Sequence, residues 1–437
     1  MKLIAYLVIC IDFVSLPIAY SKSVLIFLIM LLISAAVVFN SQDTVEERCF
    51  KLYLWSISFF GISISGIKIF DLVMIISLII FFIHHKYIVV NKSLNLILFF
   101  YLFIILQCVY LFLTGYKYMN DSIPELERYL LSLTTTLLFI QLVNKIDVNK
   151  IIKWLDKLSF LIILQALVMF IVQGSLTAAE SSVGPVSIQV FSDDSESRIS
   201  AFFSDPNKMM CYFLILLLIR ILLETAIHGK NIKWHWQYLI YLIGAVISLA
   251  RTSVISVILF ILLFLCYRYL FRNNIQIGNF LLFMVTLIVF LLIIQFQTAF
   301  FTWIDHFFAS VLEVFGRTRT AQIDGNMTTD SRVLVWREAF NYIKQSPLFG
   351  NGLLSESNLL PIPTHNTVIQ LLLDTGLIGI LLYITGIFRP ILEVVPFWLV
   401  LATMIIPMLF LDLGNFRLIF VVLGIAMQYQ TIAGGEI

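Results

Sequence analysis

The chain has 437 residues, 60% of them hydrophobic and only 12% charged, with a formal net charge of +2 and a mean hydropathy of +0.99. Soluble globular chains average about 45–50% apolar and about 25% charged residues, so this composition excludes an ordinary soluble domain. Its nearly balanced charge includes no basic tract, which excludes nucleic acid as a partner of the usual kind.

Apolar runs of roughly 15–21 residues recur from end to end, and a membrane-spanning helix takes about 20 residues, with ~17 sufficing. The pattern predicts an all-α, polytopic transmembrane bundle forming a single membrane-embedded domain over 1–437. Candidate spans lie at 3–20, 23–40, 50–64, 68–84, 93–113, 126–143, 157–173, 207–225, 236–250, 252–267, 278–296, 366–386, 392–410 and 415–430. The first run carries Asp12 and Pro17, lacks a small-residue cleavage site, and is followed at once by a second apolar run. It is expected to be a retained helix and not a signal peptide. The third is short and interrupted at Gly61, with Gly66 just beyond, so a re-entrant segment is an alternative. Twelve to fourteen helices is the expected range.

Lys and Arg in short loops set orientation, because cationic loops stay cytoplasmic. One alternating set of loops holds Arg48 and Lys51, Lys86 and Lys92, and Lys145, Lys150, Lys153 and Lys157. It continues with Lys230 and Lys233, Arg268 and Arg272, and Arg389. The other set has single cations in its short loops (Lys22, Lys68, Lys117) and contains loops 174–206 and 297–364. Fourteen spans therefore place both termini inside and the two long loops outside. Cys10, Cys49, Cys108, Cys211 and Cys266 offer neither a disulfide framework nor a zinc site, since none lies in a long loop.

Loop 297–364 is long enough to fold into a small extramembrane unit. Within it, 330–345 reads as an amphipathic helix, with Val333, Trp336, Phe340 and Ile343 at three- and four-residue steps and Pro347 marking its end. Such a helix either lies on the membrane surface or caps the bundle. No internal repeat is visible.

Four polar groups near the outer ends of spans need a reason. Arg251 stands between two apolar runs with almost no loop, where it either snorkels to headgroups or clamps a bound anion. Arg198 precedes Asp205-Pro206-Asn207, a good helix start with Asp as N-cap and Pro in the first position. Capping accounts for Asp205 but not for Arg198. Arg332 and Trp336 share a helix face, where cation–π stacking suffices and an arginine aimed at phosphate or sugar is the competing reading. Pro347, Gly350 and Gly352 follow, suggesting a tight turn with close backbone approach. His365-Asn366 stands where the loop re-enters the bilayer, and a histidine there can exchange a proton near neutral pH. The next helix carries Asp374, Gly376 and Gly379, small residues that permit close packing. Three arginines and a histidine on one face suggest an anionic, diphosphate-like ligand with a base nearby. No carboxylate pair has convincing metal-ligand spacing, and there is no Gly-rich phosphate loop.

His365-Asn366, nine residues, then Gly376-Leu-Ile-Gly379 resembles the signature of the O-antigen ligase and O-antigen polymerase superfamily, whose Wzy-like members polymerise polysaccharide. The set Arg332, Trp336, Pro347, Gly350 and Gly352 resembles the segment that precedes this signature. Ser204 to Asn207 and Ala250 to Ser253 look like its two upstream motifs. The resemblance covers about 195–385. It implies a metal-independent glycosyltransferase of GT-C type, without cofactor. By the same resemblance Arg198, Arg251 and Arg332 would bind the diphosphate of an undecaprenyl-diphosphate-linked oligosaccharide. His365 would serve as base or orienter, with Asn207, Trp336 and Asn366 in support. The implied setting is a bacterial plasma (inner) membrane, with the site on the outer face and a chain-length regulator as a candidate partner. Fixed cations can stabilise the leaving diphosphate in place of a metal. The expected activity is polymerisation of lipid-linked repeat units, serving as both donor and acceptor, into O-antigen, capsular or exopolysaccharide. The alternative is a ligase that moves the finished chain to lipid A core or protein. High Ile, Phe and Leu content and the lack of a strongly basic outer surface favour the polymerase. A transporter or flippase is the reading from another class, and it would predict ionisable residues in helix centres and repeat symmetry.

Overall fold

Residues 94–113 hold no charged side chain. In hydrocarbon a backbone can satisfy its N–H and C=O groups only internally, so such a run has to be helical. The computed structural model describes residues 11, 15–19, 24–37, 43–85, 94–116, 119–172, 180–183, 186–189, 200–203, 205–229, 232, 234–248, 251–271, 284–285, 287–288 and 329–429. The expected spans 3–20 and 278–296, residue Arg198 and stretch 297–328 of the long loop lie wholly or largely outside them.

In chain order the elements are α1 (Val24–Val37), α2 (Val45–Ile57), β1 (Ile62–Ile64), β2 (Ile67–Lys68), α3 (Ile69–His85), α4 (Leu94–Leu113), α5 (Met119–Val143) and α6 (Val148–Val172). They continue with β3 (Glu180–Val183), β4 (Val186–Gln189), α7 (Pro206–His228), α8 (Tyr238–Ile247), α9 (Arg251–Phe271) and α10 (Thr329–Gln345). The last are α11 (Ser355–Leu359), α12 (Thr367–Leu392), α13 (Phe397–Val400), a π-helical turn Leu401–Ile405, α14 (Ile406–Phe410) and α15 (Arg417–Met427). Among the described residues five helices are long and apolar enough to cross a membrane: Leu94–Leu113, Asp121–Val143, Val148–Ile171, Pro206–His228 and Thr367–Leu392. Shorter apolar helices occupy most of the other expected spans, including Ile69–His85, Tyr238–Ile247, Thr252–Arg268, Phe397–Phe410 and Arg417–Met427. The chain is an all-α, multi-pass membrane protein with one small sheet.

That sheet corrects the third expected span. Residues 50–64 are not one helix: α2 starts earlier, on a capping box in which Thr44 Oγ1 accepts from Glu47 N and Glu47 Oε2 accepts from Thr44 N, and it stops at Ile57. Beyond it the chain turns into a hairpin whose two loop residues, Ser65 and Gly66, both take positive φ (51° and 85°). This is the geometry that matches the twist of paired strands. The isoleucines of 62–67 raise the hydropathy enough to imitate a short span, yet as β-branched residues they favour strands. Strand β1 also pairs with β4, giving the order β2-β1-β4-β3.

The chain divides into two units. The first comprises Met1–His84, Lys145–Glu224 and Asn231–Ala321; the second comprises His85–Asn144, Thr225–Lys230 and Gln322–Ile437. In the first, α7 is buried along almost its whole length. Its Arg220, 4% exposed, donates to Asp156 of α6 at 2.7 Å and to Glu224 at 2.7 Å. Tyr241 and Tyr238 of α8 donate to those same two carboxylates. A buried arginine is tolerated only when paired and hydrogen-bonded, and here the pairing ties three helices together.

In the second unit α5 lies along α15 and α4 along α12. Phe100 is packed edge-on against Tyr129 and Tyr383. Thr136 of α5 donates to Phe420 O of α15, and Tyr383 of α12 donates to Gly414 O. The amphipathic loop helix exists as α10 and caps the second unit. Its buried stripe is Val335, Ala339 and Ile343, packed with Leu360, Ile369 and Leu373. Phe340, expected on that face, is 45% exposed, because a stripe at successive four-residue steps turns it away from the core.

Candidate active site at the exit of the long loop

Residues 363–366 lead from the loop to α12 without regular secondary structure; Asn366 is extended, and His365 before it has a φ of +48°. A non-glycine residue in the left-handed region is uncommon, and such strain persists only where the surroundings impose it. Here they do so on both sides. Before His365, the Thr364 N–H donates to Glu356 Oε1 at 2.8 Å and its hydroxyl donates to Glu356 Oε2 at 2.7 Å. The Thr364 carbonyl accepts from Trp336 Nε1 at 2.9 Å. After it, Asn366 is the N-cap of α12, its Oδ1 accepting from the N–H groups of Val368 and Ile369. Its Nδ2 donates to Leu409 O at 3.0 Å. One residue on, Thr367 N and Oγ1 both donate to Leu411 O, and Thr367 Oγ1 accepts from Leu413 N. Thr364 and Asn366 are buried while His365 is partly exposed, so a fixed frame presents a ring to its surroundings.

The glycines act at a second junction. Gly376 breaks α12, with φ 65° and ψ −169°, a conformation open essentially to glycine alone. Into this break fits the Pro347–Gly352 turn: Leu377 N donates to Pro347 O, Ile378 N to Leu348 O, and Gly352 N to Asp374 O. A Cβ on Gly376 would stand 2.5 Å from Gly350 N. Gln107 of α4 locks the pair by donating to Phe349 O at 2.6 Å and Asp374 O at 2.8 Å. The Asp374 carboxylate, buried to 1% exposure, accepts from Leu354 N, Ser355 N and Ser355 Oγ. It therefore caps α11, a structural use that removes it from the ionisable residues a transporter would need.

Further carboxylates gather in this unit. Burial raises the Glu356 carboxyl above its ordinary value, against the lowering effect of the bonds from Thr364, and the charge of Asp412 raises it further. Asp412 is exposed on the turn that joins α14 to α15. Glu125, near the start of α5, accepts from Arg128 at 2.8 Å and from Asn415 Nδ2 at 2.5 Å. Arg417, 4% exposed at the start of α15, donates to Arg128 O, Ser132 Oγ and Asn415 O, so its charge serves to fasten α15 to α5.

In the first unit the two upstream motifs meet at paired helix starts. Asp205 Oδ1 accepts from Asn207 N at 2.7 Å at the head of α7, the N-cap that the sequence predicts. Asn207 Oδ1 accepts from Thr252 Oγ1 at 3.3 Å, so the head of α9, where Arg251 is the first residue, lies against the head of α7. Nearby, Lys208 and Lys68 both face the Phe60 ring, at 4.6 and 5.6 Å from its centroid. Two helix N-termini with cationic side chains make a surface that favours anions.

Of the sequence-predicted residues, Trp336, His365 and Asn366 are brought together by the backbone of 364–366, and Asn207 and Arg251 by the α7–α9 contact. Arg332 lies in the first turns of α10; its side chain, that of Arg251 and the whole of Arg198 fall outside the described residues. Trp336 uses its indole N–H on Thr364. Glu356 carries no signal in the sequence: it stands nine residues before His365 in a loop, where a lone glutamate ordinarily reads as solvated.

Residues 238–384 match a protein-family model described as O-antigen ligase. The matched stretch includes Arg251, Arg332, Trp336, Gly350, His365, Asn366, Gly376 and Gly379. No curated protein matches the chain. The match supports the O-antigen ligase and polymerase superfamily.

Proposed function

We propose that this membrane protein, whose residues 238–384 match the O-antigen ligase family, is a metal-independent polysaccharide repeat-unit polymerase of GT-C type. It works as one membrane-embedded domain on the outer face of a bacterial plasma membrane. Its donor and its acceptor are both oligosaccharides linked to undecaprenyl diphosphate, and a chain-length regulator is a candidate partner. The acceptor hydroxyl attacks the anomeric carbon of the donor's first sugar as the bond from that carbon to the diphosphate oxygen breaks. His365 takes the hydroxyl proton, and Arg198, Arg251 and Arg332 neutralise the charge that develops on the departing lipid diphosphate. Asn207, Trp336 and Asn366 hold these groups in place.

The observation that carries the reading is the left-handed backbone of His365, framed by Glu356, Trp336 and the Asn366 cap. Strain of this kind is kept where a side chain must be presented in one direction. Replacing His365 or Arg251 by Ala in purified protein tests it: product formation is lost while membrane insertion is kept. Full activity in either variant removes that residue from the mechanism.

The match to a family described as O-antigen ligase favours a second reading, a ligase that transfers finished polysaccharide to lipid A core or protein. The polymerase is preferred for the chain's high Ile, Phe and Leu content and the lack of a strongly basic outer surface, which docking a phosphorylated lipid A core calls for.

A further inference from the structure

The segment between the Gly350 turn and His365 is closed by two carboxylates. Asp374, on α12, caps α11 through Leu354 N, Ser355 N and Ser355 Oγ. Glu356, one residue into that helix, then takes both donors of Thr364. His365 follows, and Asn366 caps α12 itself. The loop thus runs from a turn held against α12 to the start of that helix, and among the described residues Glu356 and Trp336 are the side chains from other residues that bond to Thr364, the residue before the strained histidine.

We propose that Glu356 is a positioning residue that holds His365 in its left-handed conformation through Thr364, so that the imidazole faces the acceptor hydroxyl. The inference rests on the role of His365 given above. The geometry argues for it in three ways. Glu356 is 6% exposed and Thr364 1%, so neither bond competes with water. The two bonds, at 2.8 and 2.7 Å, fix the peptide plane before Thr364 and its side chain, and with the Trp336 bond to Thr364 O on the plane that follows they hold Thr364 from both sides and oppose relaxation of φ at His365. Finally, hydrogen bonds to a buried carboxylate are stronger than neutral ones, enough to offset a strained residue.

The test is a double-mutant cycle on the full-length protein, with lipid-diphosphate repeat units as substrate. Glu356→Ala is expected to lower kcat by about 100-fold, within the range a positioned base contributes, while KM changes little. Glu356→Gln can still accept from Thr364 N and donate to its hydroxyl, so it should restore most of the rate. Glu356→Ala on a His365→Ala background should cost nothing further, because the two act through one group. Additive losses, a KM effect without a kcat effect, or a fully active Glu356→Ala would overturn the inference. The cycle is read on the residual rate of His365→Ala, and full activity in that variant would instead overturn the base role on which the inference rests. If Glu356→Ala does not insert, Thr364→Val and Thr364→Ser carry the same comparison, with loss expected in the first, recovery in the second, and equal rates contradicting the inference.

Discussion

The indole N–H of Trp336 donates to the carbonyl oxygen of Thr364 at 2.9 Å, joining the loop helix α10 to the residue before His365. Trp336→Phe keeps the ring but removes that bond, leaving a buried carbonyl with one partner fewer. A net loss of about 1 kcal/mol in stability is expected. The larger effect falls on kcat, by roughly 10-fold, since misplacing a catalytic group is costly. Thermal unfolding in detergent and steady-state rates check the two numbers. Wild-type kcat would show that α10 does not set the His365 turn.

The junction of Gly376 and Gly350 predicts a stronger effect on folding. Gly376→Ala forces a Cβ into backbone at a φ/ψ that alanine does not adopt, and should cost at least about 2 kcal/mol. Gly350→Ala, at φ 71° and facing the Asp374 backbone, should behave alike. Reduced yield of folded protein and a lower Tm are the expected readouts. An unchanged Tm in both would mean that the turn does not enter the break in α12.

Asp374 is expected to be structural. Asp374→Ala strips three donors at the head of α11 of their acceptor, which should cost about 2–3 kcal/mol. Asp374→Asn keeps one acceptor oxygen and should cost less. Tm values of the two variants, in the order wild type, Asn, Ala, check this.

The raised Glu356 carboxyl gives a pH dependence. Its protonated form, like a glutamine, can still accept from Thr364 N and donate to the Thr364 hydroxyl, so kcat should hold while stability changes as pH passes through a value above the ordinary carboxylate range. The groups that bear on this carboxyl are Asp412 on the α14–α15 turn, Asp374 on α12 and the Thr364 donors, with His365 next to Thr364 in sequence. Because the native value lies above the unfolded one, wild type loses stability as pH rises between the two. The Tm of Glu356→Gln relative to wild type should therefore climb across that window and level off above it. A Tm difference that stays flat across that window would contradict a raised Glu356 carboxyl.

Much of the helical architecture is legible in the sequence because hydrocarbon leaves the backbone one choice, and length and apolarity then suffice to find runs such as 93–113. Hydropathy misled at 50–64, where Ile62 and Ile64 prolong the apolar run beyond the helix end at Ile57 but belong to a hairpin. Asp205 as a cap was legible since capping is local. The close approach implied by Gly350 and Gly352 was legible too, but its partner, the broken backbone at Gly376, was not, because helix patterning gives no sign of a break. Glu356 lay beyond reach for the same reason: its partner Thr364 is eight residues away, across a turn that only the cap at Asp374 creates.

The account's central claim is polymerisation, and incubating the purified protein with synthetic lipid-diphosphate repeat units alone tests it most directly. A ladder of products, each longer by one repeat, is the result the account predicts. Products of fixed length until a lipid A core acceptor is added would contradict it and establish the ligase.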